Sequence, residues 1–140
     1  MRLWHKDLIK VLPTQQLVAQ WRECCCIARN IKIYGTPNHI LVNRIMDYPM
    51  EHFWNYADLV REEMIKRGFE CNFNRFWKWV VPVRSFLLID DIPLDDLFYD
   101  WHDDRYFWQC YYNLEEKYDC GGIPEKEWNR LCDICCEERL

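Results

Sequence analysis

The segment Gln15-Gln16-Leu17-Val18-Ala19-Gln20-Trp21-Arg22-Glu23 gathers amides, a guanidinium and a carboxylate into a few helical turns. A carboxylate such as Glu23 can move protons or steady a developing positive charge. Gln15, Arg22 and Arg29 recur at intervals of seven and form a polar and basic row suited to phosphate. The terminal amine, at Met1, lies close in sequence. Such an amine titrates at about 7.7–8.0, so part of it is uncharged near neutral pH. The same pattern also fits a plain solvated helix face.

Two further groups have chemical spacing. Cys132-x-x-Cys135 has the interval of a metal or redox pair. No second C-x-x-C or H-x-x-x-H accompanies it, so no metal is assigned and the cysteines are read as ordinary thiols. Phe73-Asn74-Arg75-Phe76-Trp77-Lys78-Trp79 mixes aromatics with bases. It reads as a strand-like loop, either folded onto the core or offering rings on which bases stack.

The elements that must position these groups are mostly helical. Pro13-Thr14 is a start signal, with Thr14 as the capping hydroxyl of a helix over 14–31. Leu17, Trp21, Cys24 and Ala28, at spacings of four, three and four, form its apolar stripe. Arg22 and Glu23 point about 100° apart, both clear of that stripe. Before it lie residues 1–12, an arm extended over Met1–His5 and then a short turn of helix, with Leu3, Leu8, Ile9, Val11 and Leu12 as packing contacts. Residues 34–38 are a turn, and His39 to Met46 reads as a short helix. Pro49 opens a second long helix with Phe53, Ala57, Val60 and Met64 as its buried stripe and Glu62, Glu63, Lys66 and Arg67 as its wet face. Gly68 stops it. A third helical region spans Pro93 to about Tyr118, ended by Gly121-Gly122. Pro124 opens a last short helix with Trp128, Leu131, Cys132 and Cys135 inward. No repeat or linker divides the 140 residues, which are read as a single domain.

Composition excludes several classes. Half the residues are apolar and 16% aromatic, which argues against disorder. No apolar run approaches the roughly 18–20 residues of a membrane span. The longest, Val80 to Ile89, is broken by Pro82, Arg84 and Ser85. Lys6, Asp7 and Lys10 interrupt any secretory signal, so a cytoplasmic protein is expected. The net charge of −5 is unevenly spread. Residues 1–34 hold six Lys/Arg against two Asp/Glu, whereas residues 91–140 hold five against fourteen. A polyanion is drawn only to the N-terminal part.

On these residues the chain resembles the pyrimidine dimer DNA glycosylases of the phage endonuclease V type. Leu12-Pro13-Thr14-Gln15-Gln16-Leu17-Val18-Ala19-Gln20-Trp21-Arg22-Glu23 is similar to that family's first-helix motif. His39, ahead of an apolar segment, is similar to a second match, and Glu63-Met64-Ile65-Lys66-Arg67-Gly68-Phe69 to the end of its second helix. The opening Met-Arg-Leu-Trp-His and the Arg-Glu-Cys-Cys run resemble a mostly uncharacterised bacterial branch. Residues 1–70 carry the resemblance.

The resemblance implies an all-α fold, a compact single-layer bundle of three main helices with short helices and an N-terminal arm. It implies a DNA glycosylase with abasic-site lyase activity on pyrimidine photodimer-like damage, acting on double-stranded DNA without a cofactor. The Met1 amine would be the nucleophile and Glu23 the catalytic carboxylate. Arg2, Gln15, Gln16, Arg22 and His39 would meet the substrate. The sequence departs from the phage pattern in keeping Met1 ahead of the bulky Arg2. It also has Cys24-Cys25-Cys26 where that family has a further Arg, and an acidic C-terminal segment in place of a basic one. Two other readings stand beside this one: a non-enzymatic nucleic-acid or small-ligand binding module on the same helices, and a thiol or metal protein.

Overall fold

Two apolar stripes at helical spacing set the architecture. The computed structural model describes residues 1–80 and 91–139. Helix α1 spans Thr14–Tyr34 and α2 spans Met50–Lys66. Leu17, Trp21, Cys24 and Ala28 of α1 and Phe53, Ala57, Val60 and Met64 of α2 are all buried, as their spacing requires. Short α3, Asn74–Val80, packs on α1 and sinks Phe76 between Trp21 and Phe53, at ring-centroid distances of 6.0 and 5.4 Å. Helices α4, Asp104–Asp119, and α5, Glu125–Arg139, complete an all-α bundle. Single 3-10 turns occupy Lys6–Val11, Asn43–Asp47 and Leu94–Asp96. Among the described residues there is no strand, and no helix is long and apolar enough to cross a membrane.

Several expectations change. Residues 74–80 are helical, not a strand-like loop, because Phe76 must reach the α1–α2 seam while Arg75 and Lys78 stay wet. The third helical region begins only at Asp104. Before it, Phe98 adopts φ +50 and turns the chain so that its ring is buried against Tyr48, His52 and Trp101. The last helix, at fifteen residues, is longer than expected. Apart from Val80, the apolar run 80–89 lies outside the described residues.

Glu63 is not on a wet face. It is buried and pairs with Arg67 (Oε2–Nε 3.7 Å), whose guanidinium also donates to the Leu12, Ile9 and Lys10 carbonyls of the arm. Thr14 does not cap α1. Its hydroxyl and its backbone N–H both donate to Glu127 Oε1, at 2.5 and 3.1 Å. A carboxylate from α5 therefore satisfies the open N-terminal donor of α1.

The arm is seated by polar side chains in an aromatic setting. His5 is buried, with Nε2 bonded to the Asp103 carbonyl (3.1 Å) and Nδ1 accepting from the Asp7 N–H (3.1 Å). Its ring stacks on buried His102, whose Nδ1 accepts from the Lys6 N–H at 2.9 Å. The Lys6 ammonium reaches inward to the carbonyls of Asp95 and Leu97, at 3.0 and 2.7 Å. Arg139 closes the end of the bundle by pairing with Asp7 and Asp104. Burial lowers the pKa of His5 to about 4, and it lowers those of His52 and His102 as well.

Two outcomes are expected. Glu127→Ala should cost about 1 kcal/mol, or about 3 °C in Tm, by exposing the α1 terminus. An unchanged melting curve would count against the cross-helix cap. Second, His5 is neutral when folded but titrates near 6.5 when unfolded, so the unfolded chain binds more protons between these values. Stability should be full above about pH 6.5 and fall as the pH drops toward 4. His5→Gln should flatten part of that slope in circular-dichroism melts, and an identical slope in the variant would refute the assignment.

Candidate active site

The arm lies along the face of α1 that carries Gln16, Gln20 and Glu23, which recur at spacings of four and three. Gln20 is fully buried, and the site is built around its amide. Gln20 Oε1 accepts the Trp4 backbone N–H at 2.8 Å and sits 3.1 Å from the Tyr56 hydroxyl. Gln20 Nε2 donates to the Arg2 carbonyl at 3.0 Å and, as a longer bond, to Glu23 Oε2 at 3.4 Å. The Tyr56 hydroxyl donates to the Trp4 carbonyl at 2.6 Å, and Tyr106 from α4 donates to the Leu3 carbonyl. Three consecutive arm residues are thus held by backbone hydrogen bonds to side chains of three helices. Burial raises the Tyr56 and Tyr106 pKa values well above the usual range, so both hydroxyls remain donors.

This brings Arg2 and Glu23 to one nitrogen and places the Met1 amine one residue beyond. Met1 is 39% exposed and Glu23 is half-buried. No ion pair joins the Met1 amine to Glu23 among the described residues. The Arg2 guanidinium turns back onto the protein, over the Trp4 ring (5.5 Å) and toward Cys110 Sγ (3.8 Å). Gln16 is half-buried, and its Oε1 has no partner.

The other expected residues stand elsewhere. Gln15 and Arg22 are exposed on the neighbouring face of α1. Both line a groove of about 750 Å³ against Gly122, Ile123 and Glu127. Arg22 also borders a second groove, of about 640 Å³, with Trp21, Met64, Phe69 and Arg75. His39 follows the C-terminal end of α1 and organises its own turn. Its N–H donates to Asn43 Oδ1 (2.9 Å), and its Nδ1 accepts from Leu41 (3.2 Å).

The residues that sequence reasoning missed are Gln20, Tyr56 and Tyr106. Gln20 had one readable signal. At 3.6 residues per turn it borders the apolar stripe of α1, and a buried amide needs partners. Tyr56 and Tyr106 had none, because their acceptors are backbone carbonyls distant in sequence.

The buried thiols are held in their protonated, less reactive form. All nine cysteines are free. Burial raises the pKa of Cys24 well above its ordinary value and takes Cys25 and Cys135 to about 11, which keeps them protonated near neutral pH. Among the described residues no three His, Cys, Asp or Glu side chains converge as metal ligands do.

A sequence profile of the pyrimidine dimer DNA glycosylase family matches residues 1–78. No curated protein and no solved structure matches the chain.

Proposed function

The chain belongs to the pyrimidine dimer DNA glycosylase family, and from that premise we propose that it is a DNA repair glycosylase and abasic-site lyase that works through the Met1 amine and Glu23. The observation that carries this reading is the shared nitrogen of Gln20, bonded to both the Arg2 carbonyl and Glu23 Oε2. It ties the start of the arm to the carboxylate that the chemistry needs.

The neutral amine attacks C1′ of the damaged nucleotide. The glycosidic C–N bond breaks, and the departing base takes up a proton. The sugar ring opens to leave an imine between Met1 and C1′. The imine acidifies the C2′ proton, and its loss expels the 3′ phosphate and nicks the strand. Glu23 steadies the oxocarbenium-like charge and moves these protons. Extruding the damaged nucleotide from the stack gives the amine its access. An amine held in no ion pair needs no carboxylate displaced before it reacts.

The clustering of exposed cations on α1 and α3 supports a duplex-DNA partner. Lys10, Arg44, Arg67 and Arg139 are each matched to a carboxylate. Among the described residues Arg22, Arg29, Lys32 and Arg75 have no carboxylate partner, and Arg22 and Arg75 face one groove. Phosphates would follow this side of α1, with Gln15 beside it. Of the fourteen carboxylates of residues 91–140, Asp100, Asp104 and Glu138 lie in ion pairs among the described residues, so this third keeps most of its negative charge and duplex DNA approaches on the α1 side. We treat residues 1–140 as one domain because residues 95–139 hold the arm, and we place the protein in the cytoplasm.

Borohydride added to the protein on abasic-site duplex should trap a covalent adduct. One extra N-terminal residue should abolish it, and Glu23→Gln should slow strand cleavage on the order of a hundredfold or more. Duplex binding with no adduct would overturn the enzymatic reading and favour a binding module on the same helices. Arg22→Ala should reduce the slope of log K against log salt by about one. An unchanged slope would remove Arg22 from the phosphate contacts.

A further inference from the structure

We propose that Gln20 is the positioning residue of this site, fixing the register of the arm and the orientation of the Glu23 carboxylate through a single amide. The inference rests on the proposed amine chemistry but adds a residue and a role to it.

Gln20 uses both ends of its amide. Its oxygen accepts the Trp4 N–H at 2.8 Å, with the Tyr56 hydroxyl, which donates to the Trp4 carbonyl, 3.1 Å away. Its nitrogen faces two acceptors, the Arg2 carbonyl at 3.0 Å and Glu23 Oε2 at 3.4 Å. Both hydrogens of the amide are therefore used, and its oxygen is held by the Trp4 N–H. Its orientation is also fixed, because a flip would set NH₂ against the Trp4 N–H and oxygen against a carboxylate. The contacts to Trp4 and Tyr56 would suffice to anchor the arm. The two donations from Nε2 go further, because they lock the arm and the carboxylate to each other. The second of them holds Glu23 Oε2 and leaves Oε1, which accepts no hydrogen bond from the described residues, available to the amine and the sugar. A buried side chain that aims a carboxylate oxygen in this way acts on the reaction without touching the substrate.

Gln20→Met keeps the length of the side chain and removes its hydrogen bonds to Trp4, Arg2 and Glu23. Its single-turnover trapping rate on abasic duplex should fall by between about tenfold and a hundredfold, with duplex affinity unchanged. The acidic limb of the rate–pH profile should also move. A rate and profile matching the wild type would overturn the proposal.

A second measurement does not depend on catalysis. With the Met1 amine ¹³C-methylated, its titration by NMR should differ between the wild type and Glu23→Gln. That difference should vanish in the Gln20→Met background, and if it persists there the positioning role is refuted. If Gln20→Met does not fold, Gln20→Glu carries both tests, because it keeps the acceptor for the Trp4 N–H and replaces the two donations with a carboxylate that repels Glu23 and the Arg2 carbonyl. Absence of any adduct with wild-type protein would sink the amine chemistry. Loss of the NMR coupling in the Gln20 variants would still establish Gln20 as the link between arm and carboxylate.

Discussion

A buried primary amide hydrogen-bonded at both its ends is the constraint on which the site depends. Gln20 lies in the interior between arm, α1 and α2, where an unpaired amide would cost about 1–3 kcal/mol for each unsatisfied group. The arm must therefore run in the one register that presents the Arg2 carbonyl and the Trp4 N–H to it. Tyr56 and Tyr106 enforce the same register from the other side, through the Trp4 and Leu3 carbonyls. The first five residues of the arm, ahead of the 3-10 segment Lys6–Val11, are ordered by side chains rather than by their own secondary structure.

Charge is divided between two jobs. On one side of the molecule opposite charges are consumed in holding the bundle together: Arg139 with Asp7 and Asp104, Lys10 with Glu138, Glu127 with the start of α1. Along the outer face of α1 and on α3 the basic groups are left to solvent. A net negative protein can thus still present a positive surface, because burial and pairing decide which charges a partner meets. The cysteine-rich composition has a plainer meaning. Cys24, Cys110 and Cys135 are core residues whose thiols pack as small apolar groups.

Sequence reading worked where a physical rule is local. Leu17, Trp21, Cys24 and Ala28, and Phe53, Ala57, Val60 and Met64, had to share faces, and they are buried. Gly68 had to end α2, and with φ +88 it does, the Phe69 N–H closing onto the Met64 carbonyl at 3.0 Å. The family motif on α1 was legible because it depends on one helix. Reading failed where a distant element decides. Thr14 looked like a cap because its own hydroxyl was the only candidate nearby in sequence, whereas Glu127 arrives from more than a hundred residues away. Glu63 looked wet because nothing in its helix announces the open carbonyls of residues 9–12 that recruit Arg67. Gln20 passed as one more polar residue, since its partners are mostly backbone atoms of the arm.

The contacts between the arm and the C-terminal third have a consequence for how such a chain can diverge. Lys6 is received by the carbonyls of Asp95 and Leu97, His5 by the carbonyl of Asp103, and Phe98 offers His52 its backbone N–H. These are main-chain atoms, supplied by almost any residue that lets the chain follow the same path. Mutational drift along 91–104 can therefore rewrite many side chains without unseating the arm, provided the turn at Phe98 survives and His102 keeps its place against Lys6 and His5. Residues 1–78 are the part that a family profile matches, and they hold the amide to which the arm is fitted.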